Sequence, residues 1–184
     1  MSEEIKGKRV AVMVANEGVE QIEMTAPIEA LKNAGAEVDL IAPEHGEVQA
    51  FNHLDKADTF RVDHSLGEVN AGDYAALVLP GGVANPDQLR TEPKAVQFVK
   101  DFFSEGKPVG AICHAPWTLV EADVVQGRTL TSWPSLKTDI ENAGGTWVDE
   151  EVHVDQGFVT SRKPDDLEAF CSKVVEEIAE GRHA

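Results

Sequence analysis

The sequence predicts an α/β fold, a mostly parallel central sheet with helices on both faces, and three observations support it. Short, continuous apolar runs at 9–14, 74–79 and 108–112 read as strands buried on both sides, as in a parallel sheet. Segments with apolar residues at helical spacing lie between such runs. Strand and helix signals then alternate along the chain, which implies an open sheet covered on each face. No internal repeat, low-complexity stretch or linker interrupts the 184 residues, so residues 1–184 are read as one domain.

The elements follow in order. The run at 9–14 is the first strand. Residues 27–34 carry Ile28, Leu31 and Ala34 at helical spacing behind Pro27, and Gly35 is the stop. Residues 37–41 form the second strand. The stretch 43–73 is the least regular and is read as a small hairpin or excursion. A third strand at 74–79 ends abruptly in Pro80, Gly81 and Gly82. In 93–105, Ala95, Val96, Val99, Phe102 and Phe103 make one apolar helical face, closed by Gly106. A fourth strand, 108–112, runs directly into Cys113. Residues 115–122 read as a helix, 129–132 as a strand and 134–143 as a helix stopped by Gly144. A hairpin over 151–161 turns at Asp155, Gln156 and Gly157. A final amphipathic helix over 165–178 points Leu167, Phe170, Val174, Val175 and Ile178 inward.

Composition narrows the function classes. The net charge of −17 repels phosphate backbones and anionic membranes, so neither nucleic acid nor a membrane is an expected partner. Two cysteines, Cys113 and Cys171, do not make a disulfide framework. The charged start has no signal-peptide core, and no apolar run approaches the roughly 20 residues that span a bilayer. A cytoplasmic location is expected.

In an open α/β sheet, ligands bind beyond the carboxyl ends of the strands. Three loops bring special residues to that edge. Asn16, Glu17, Glu20 and Glu23 follow the first strand, Gly81 and Gly82 the third, and Cys113 and His114 the fourth. A strand, a nucleophile and an immediate helix make a nucleophile elbow, and the helix start favours a thiolate. A buried, inert cysteine is the competing reading for Cys113, and the better one for Cys171. His114 can serve as base for the thiol or stand as a cap or surface residue. The carboxylates can complement the helix dipole. Alternatively, one raised by burial can stay protonated and hydrogen-bond the sulfur. The N–H groups of a Gly-Gly turn and of His114 can form an oxyanion hole, although most such turns are only turns. The remaining histidines show no metal-ligand spacing, and no nucleotide-binding loop is present. Neither metal nor cofactor is expected.

At these residues the chain resembles the ThiJ/PfpI family of the class I glutamine amidotransferase-like superfamily. The matching pieces are Ala-Asn-Glu at 15–17, Glu-Gln-Ile-Glu at 20–23, and Leu-Val-Leu-Pro-Gly-Gly at 77–82. Ala-Ile-Cys-His at 111–114, Leu-Thr-Ser-Trp-Pro at 130–134 and Val-Thr-Ser-Arg at 159–162 complete an ordered set within 8–178. The resemblance implies a flavodoxin-like three-layer sandwich that forms homodimers or larger homo-oligomers. It implies Cys113 as nucleophile with Glu23 touching the sulfur. His114 matches the histidine of protease-like members. Asp87 stands where those members place a glutamate that completes a triad across subunits. Trp133 takes the place of a pocket aromatic. The shorter carboxylate and an extra residue nearby depart from the family pattern.

The resemblance implies a stress-protective, cofactor-free cysteine hydrolase acting on small carbonyl compounds, glycated proteins or peptides. Cys113, His114, Glu23 and Asp87 carry the chemistry, and Gly81, Gly82, Glu20 and Trp133 shape the pocket. A PfpI-type intracellular cysteine protease and a redox-sensing stress protein without turnover are the rival readings.

Overall fold

A computed structural model of the chain describes residues 4–183. Its centre is a seven-stranded sheet. In chain order the strands are β1 (Arg9–Met13), β3 (Glu37–Ala42), β6 (His64–Ser65), β7 (Ala76–Leu79), β8 (Val109–Ile112), β11 (Val152–Asp155) and β12 (Phe158–Ser161). Across the sheet they run β11-β12-β8-β7-β1-β3-β6. Every pairing is parallel except that of β11 with β12.

Strand alternation divides the core into two. Ala11, Met13, Leu77, Leu79, Val109 and Ala111 face one layer, where Phe98, Val99 and Phe102 of α3 (Pro93–Ser104) pack. Leu119 of α4 (Pro116–Glu121) and Ile140 of α5 (Lys137–Asn142) join them there. Val10, Val12, Val14, Ala76, Val78 and Ile112 face the other layer. Met24 and Leu31 of α1 (Gln21–Asn33) and Phe170, Val174 and Ile178 of α6 (Leu167–Glu180) cover that face. Successive side chains on a strand point to opposite sides, so runs of Val, Ala and Leu serve both layers at once. The result is the expected three-layer sandwich.

Four local differences matter. The first helix begins at Gln21, not Pro27, and Pro27 is buried inside it. An interior proline costs about 3 kcal/mol or more in an isolated helix, a loss that burial of Met24 and Leu31 offsets here. The early start carries Glu23 into the helix and into the core. Residues 43–73 contain a real hairpin: β4 (Glu47–Asn52) pairs antiparallel with β5 (Asp55–Arg61). A short β2 (Glu17–Glu20) joins β4 to make a second, three-stranded sheet. The strand signal at 129–132 shrinks to β9 (Thr129–Leu130), which pairs with β10 (Thr146–Trp147) in a separate two-stranded sheet beside β11. A short helix, α2 (Ala84–Leu89), follows the Gly-Gly turn and was not expected. The 151–161 hairpin turns as read, with Gln156 and Gly157 both at positive φ, the pattern of a two-residue type I′ turn.

Candidate active site

Cys113 follows the last residue of β8 and adopts φ 63, a left-handed conformation that costs a non-glycine residue roughly 1–2 kcal/mol. Three hydrogen bonds hold it there. The Cys113 N–H donates to Ser161 O at 3.1 Å, the Trp133 N–H donates to Cys113 O at 2.9 Å, and the Ala115 N–H donates to Ile112 O at 3.1 Å. Pro116 then opens α4 at a position where its missing N–H costs nothing. This is the sharp strand-to-helix turn that the sequence suggests.

The turn aims Sγ of Cys113 at Nδ1 of His114, 3.1 Å away. The imidazole lies between two indoles. Trp133 stacks on it with centroids 5.6 Å apart and 22° between planes, and Trp117 meets it edge-on at 5.2 Å. Burial in this aromatic slot pushes His114 down to about 4, so the ring is neutral at physiological pH.

Glu23 is fully buried beside the sulfur, and neither of its oxygens has a well-formed hydrogen bond. Burial first, and the charge of Glu20 second, push its carboxyl up to about 8. The thiol of Cys113 and the N–H groups of Gly82 and Gly81 pull the other way and lose. The carboxyl therefore keeps its proton at neutral pH. The thiol behaves differently from expectation. Burial, then the Glu23 charge, push Cys113 up, against the N–H groups of Gly82 and His114 that favour the thiolate. A six-residue helix start does not overcome the burial of a residue that is only 7 % exposed.

The two glycines permit this closeness. A Cβ on Gly81 would lie 2.5 Å from Glu23 Oε1, 2.6 Å from Cys113 Cβ and 2.8 Å from Ile112 O. Gly82 sits at φ 84, and a Cβ there would meet Gly18 O at 2.5 Å. Glu20 is half-buried at the rim, where its carboxylate accepts the His53 N–H at 3.0 Å.

Not every candidate converges. Asp87 is exposed on α2, because Asn85, Pro86 and Leu89 take the inward face of that helix. Among the described residues it makes no hydrogen bond or ion pair with Cys113 or His114. Glu17 is likewise exposed. Cys171 is half-buried on α6, and burial pushes its thiol up to about 11. A groove of about 520 Å³ lined by Thr25, Ile28 and Phe60 contains none of the reactive residues. The reactive cluster, not cavity size, locates the site. Linear spacing also missed Glu177, Glu180 and His183, whose ligand-type atoms lie within 4.8 Å of one another. His183 N–H donates to Gly106 O, ahead of β8, whereas Cys113 follows the far end of that strand. Two residues at the site itself escaped the sequence reading. Trp117 stands three positions after His114, a helical spacing that could have flagged it. Asn85 is fully buried, which nothing in its local sequence announces.

The DJ-1/PfpI family model matches residues 8–177. The chain belongs to the DJ-1/PfpI family. Among its family relatives, General stress protein 18 of Bacillus subtilis is 44% identical over 89% of this chain and 94% of its own length. Deglycase PH1704 of Pyrococcus horikoshii is 42% identical over 91% of this chain and 97% of its own. Protein/nucleic acid deglycase 2 of Escherichia coli is 42% identical over 89% and 93%. Among solved structures, Drosophila melanogaster DJ-1beta superposes with a TM-score of 0.85 at 30% identity, covering 94% of this chain and 91% of its own. Among the described residues, no helix is long and apolar enough to cross a membrane.

Proposed function

We propose that this DJ-1/PfpI chain is a cysteine-dependent hydrolase that removes dicarbonyl adducts from amines of proteins or small molecules. The observation that carries the reading is the thiol of Cys113, 3.1 Å from a neutral imidazole and beside a buried, protonated carboxyl. The names of the deglycase relatives support the substrate class. The charge of −17 favours protein and small-molecule adducts over polyanions.

The resting site holds its protons, so attack needs a base. As the sulfur approaches the adduct carbon, the thiol proton passes to Nδ1 of His114, and the neutral ring is ready to accept it. The sulfur–carbon bond forms while the carbon–nitrogen bond breaks. The proton leaves with the amine, so charge balances. A proton shift along the bound hydroxy-ketone then gives a thioester, and water cleaves it to a 2-hydroxy acid and the free thiol. Glu23 donates to or accepts from the reacting oxygens. The N–H groups of Gly82 and His114 stabilise negative charge as it develops. The net reaction is adduct plus water to amine plus acid, with no external oxidant or reductant.

The test is release of free amine from a methylglyoxal-modified peptide by the wild type and by Cys113→Ala. The variant should fall to the uncatalysed rate. Equal rates would eliminate the reading.

A further inference from the structure

Asn85 is fully buried and sits at the start of α2. Its Oδ1 accepts the Ala15 N–H at 2.6 Å. That contact fixes which end of the amide is oxygen, because only a carbonyl can accept there. Nδ2 then spends both protons on successive carbonyls, Pro80 O and Gly81 O, each at 3.0 Å.

The consequence follows from peptide geometry. In a planar trans peptide, C=O and the next N–H point in opposite directions. The described chain contains no cis peptide bond. Drawing Pro80 C=O towards Asn85 turns the Gly81 N–H away from it. Drawing Gly81 C=O the same way turns the Gly82 N–H away. Glu23 and Cys113 pack against this same loop: a Cβ on Gly81 would lie 2.5 Å from Glu23 Oε1 and 2.6 Å from Cys113 Cβ, and the Gly82 N–H favours the charged form of both groups. The Gly81 carbonyl receives one further bond, a longer one of 3.4 Å from Glu20 N–H.

We infer that Asn85 is a positioning residue: its carboxamide aims the Gly82 N–H at the reacting sulfur and the Gly81 N–H at the Glu23 carboxyl beside it, and so assembles the anion-stabilising side of the site. It touches neither substrate nor sulfur. Only the turnover arm of the test rests on the hydrolase reading.

Two variants and two readouts decide it. Asn85→Asp keeps the shape and the bond from Ala15, but as a carboxylate it has no proton to give either carbonyl. Asn85→Ser keeps one donor and adds no charge, which separates lost donors from added charge. Cys113 alkylation by iodoacetamide, followed against pH, reads thiolate stabilisation without turnover. The alkylation midpoint should move to higher pH in Asn85→Asp and by less in Asn85→Ser. For adduct release, kcat should fall about 10²–10³-fold in Asn85→Asp with KM little changed, as when an oxyanion donor is lost. If the wild type releases no amine, the hydrolase reading fails and the alkylation profile alone judges Asn85. If Asn85→Asp does not fold, Asn85→Ser decides by the same profile. A folded variant with the wild-type alkylation profile overturns the inference.

Discussion

Sγ of Cys113 and Nδ1 of His114 stand 3.1 Å apart although the two residues are neighbours in the chain. On an extended strand, adjacent side chains point to opposite faces. The left-handed backbone at Cys113, φ 63, breaks that alternation and lets both side chains reach one site. The strain at this single residue is thus what joins nucleophile to base.

Trp133 packs directly against that base. It is 36 % exposed, yet it stacks on His114 and shields one ring face. Trp133→Ala should admit water to the imidazole and raise its titration midpoint from about 4 towards the ordinary 6.5. An NMR titration of the His114 ring measures this. The lost stack should cost about 0.5–1.5 kcal/mol of stability beyond the area exposed. A midpoint still near 4 would assign the shift to Trp117 and the surrounding core instead.

Glu23 ties stability to pH. Its carboxyl is raised from 4.5 to about 8, so above pH 4.5 the folded state holds a proton that the unfolded state has released. Its contribution is complete below pH 4.5 and is lost as pH rises through 8. His114 has the opposite sign, because it is lowered from 6.5 to about 4. Its contribution is present above pH 6.5 and is lost as pH falls through 4. The two slopes oppose one another between pH 4.5 and 6.5, and Glu23 acts alone from 6.5 to 8. There the wild type should lose stability by up to about 1.4 kcal/mol per pH unit relative to Glu23→Gln. Urea unfolding of both proteins at half-unit steps measures the difference, and parallel curves would contradict it.

Gly81 leaves no room for a side chain. The methyl of Gly81→Ala would press on the Ile112 carbonyl and on Glu23 at once, and backbone does not yield cheaply. The expected destabilisation is about 1–3 kcal/mol by denaturant unfolding, with Cys113 alkylation altered as well. Wild-type stability and reactivity together would show that the loop has freedom these contacts deny it.

Much of the architecture was legible because its causes are local. The apolar runs at 9–14, 74–79 and 108–112 mark the central strands, and Leu, Phe and Val at helical spacing mark α3 and α6. The Gly-Gly turn and the Cys-His pair at strand ends announced where chemistry could gather. Boundaries failed where packing overrode propensity, as at Pro27 inside α1. The β4–β5 hairpin lies where an excursion was readable at 43–73, but its joining to β2 was not, because that pairing links segments far apart in the chain.

The sequence by itself determined the layered fold, the family and the placing of a thiol and a histidine at one sheet edge. These depend on periodicity and on residue identity along the chain. Only the tertiary structure decided that Glu23 keeps its proton, that His114 lies neutral between two indoles, that Asp87 faces outward, and that Asn85 grips two carbonyls of the glycine loop. Protonation and hydrogen-bond direction depend on what surrounds a group in space. Those surroundings come from segments tens of residues apart, which meet only when the sheet and its helices close together.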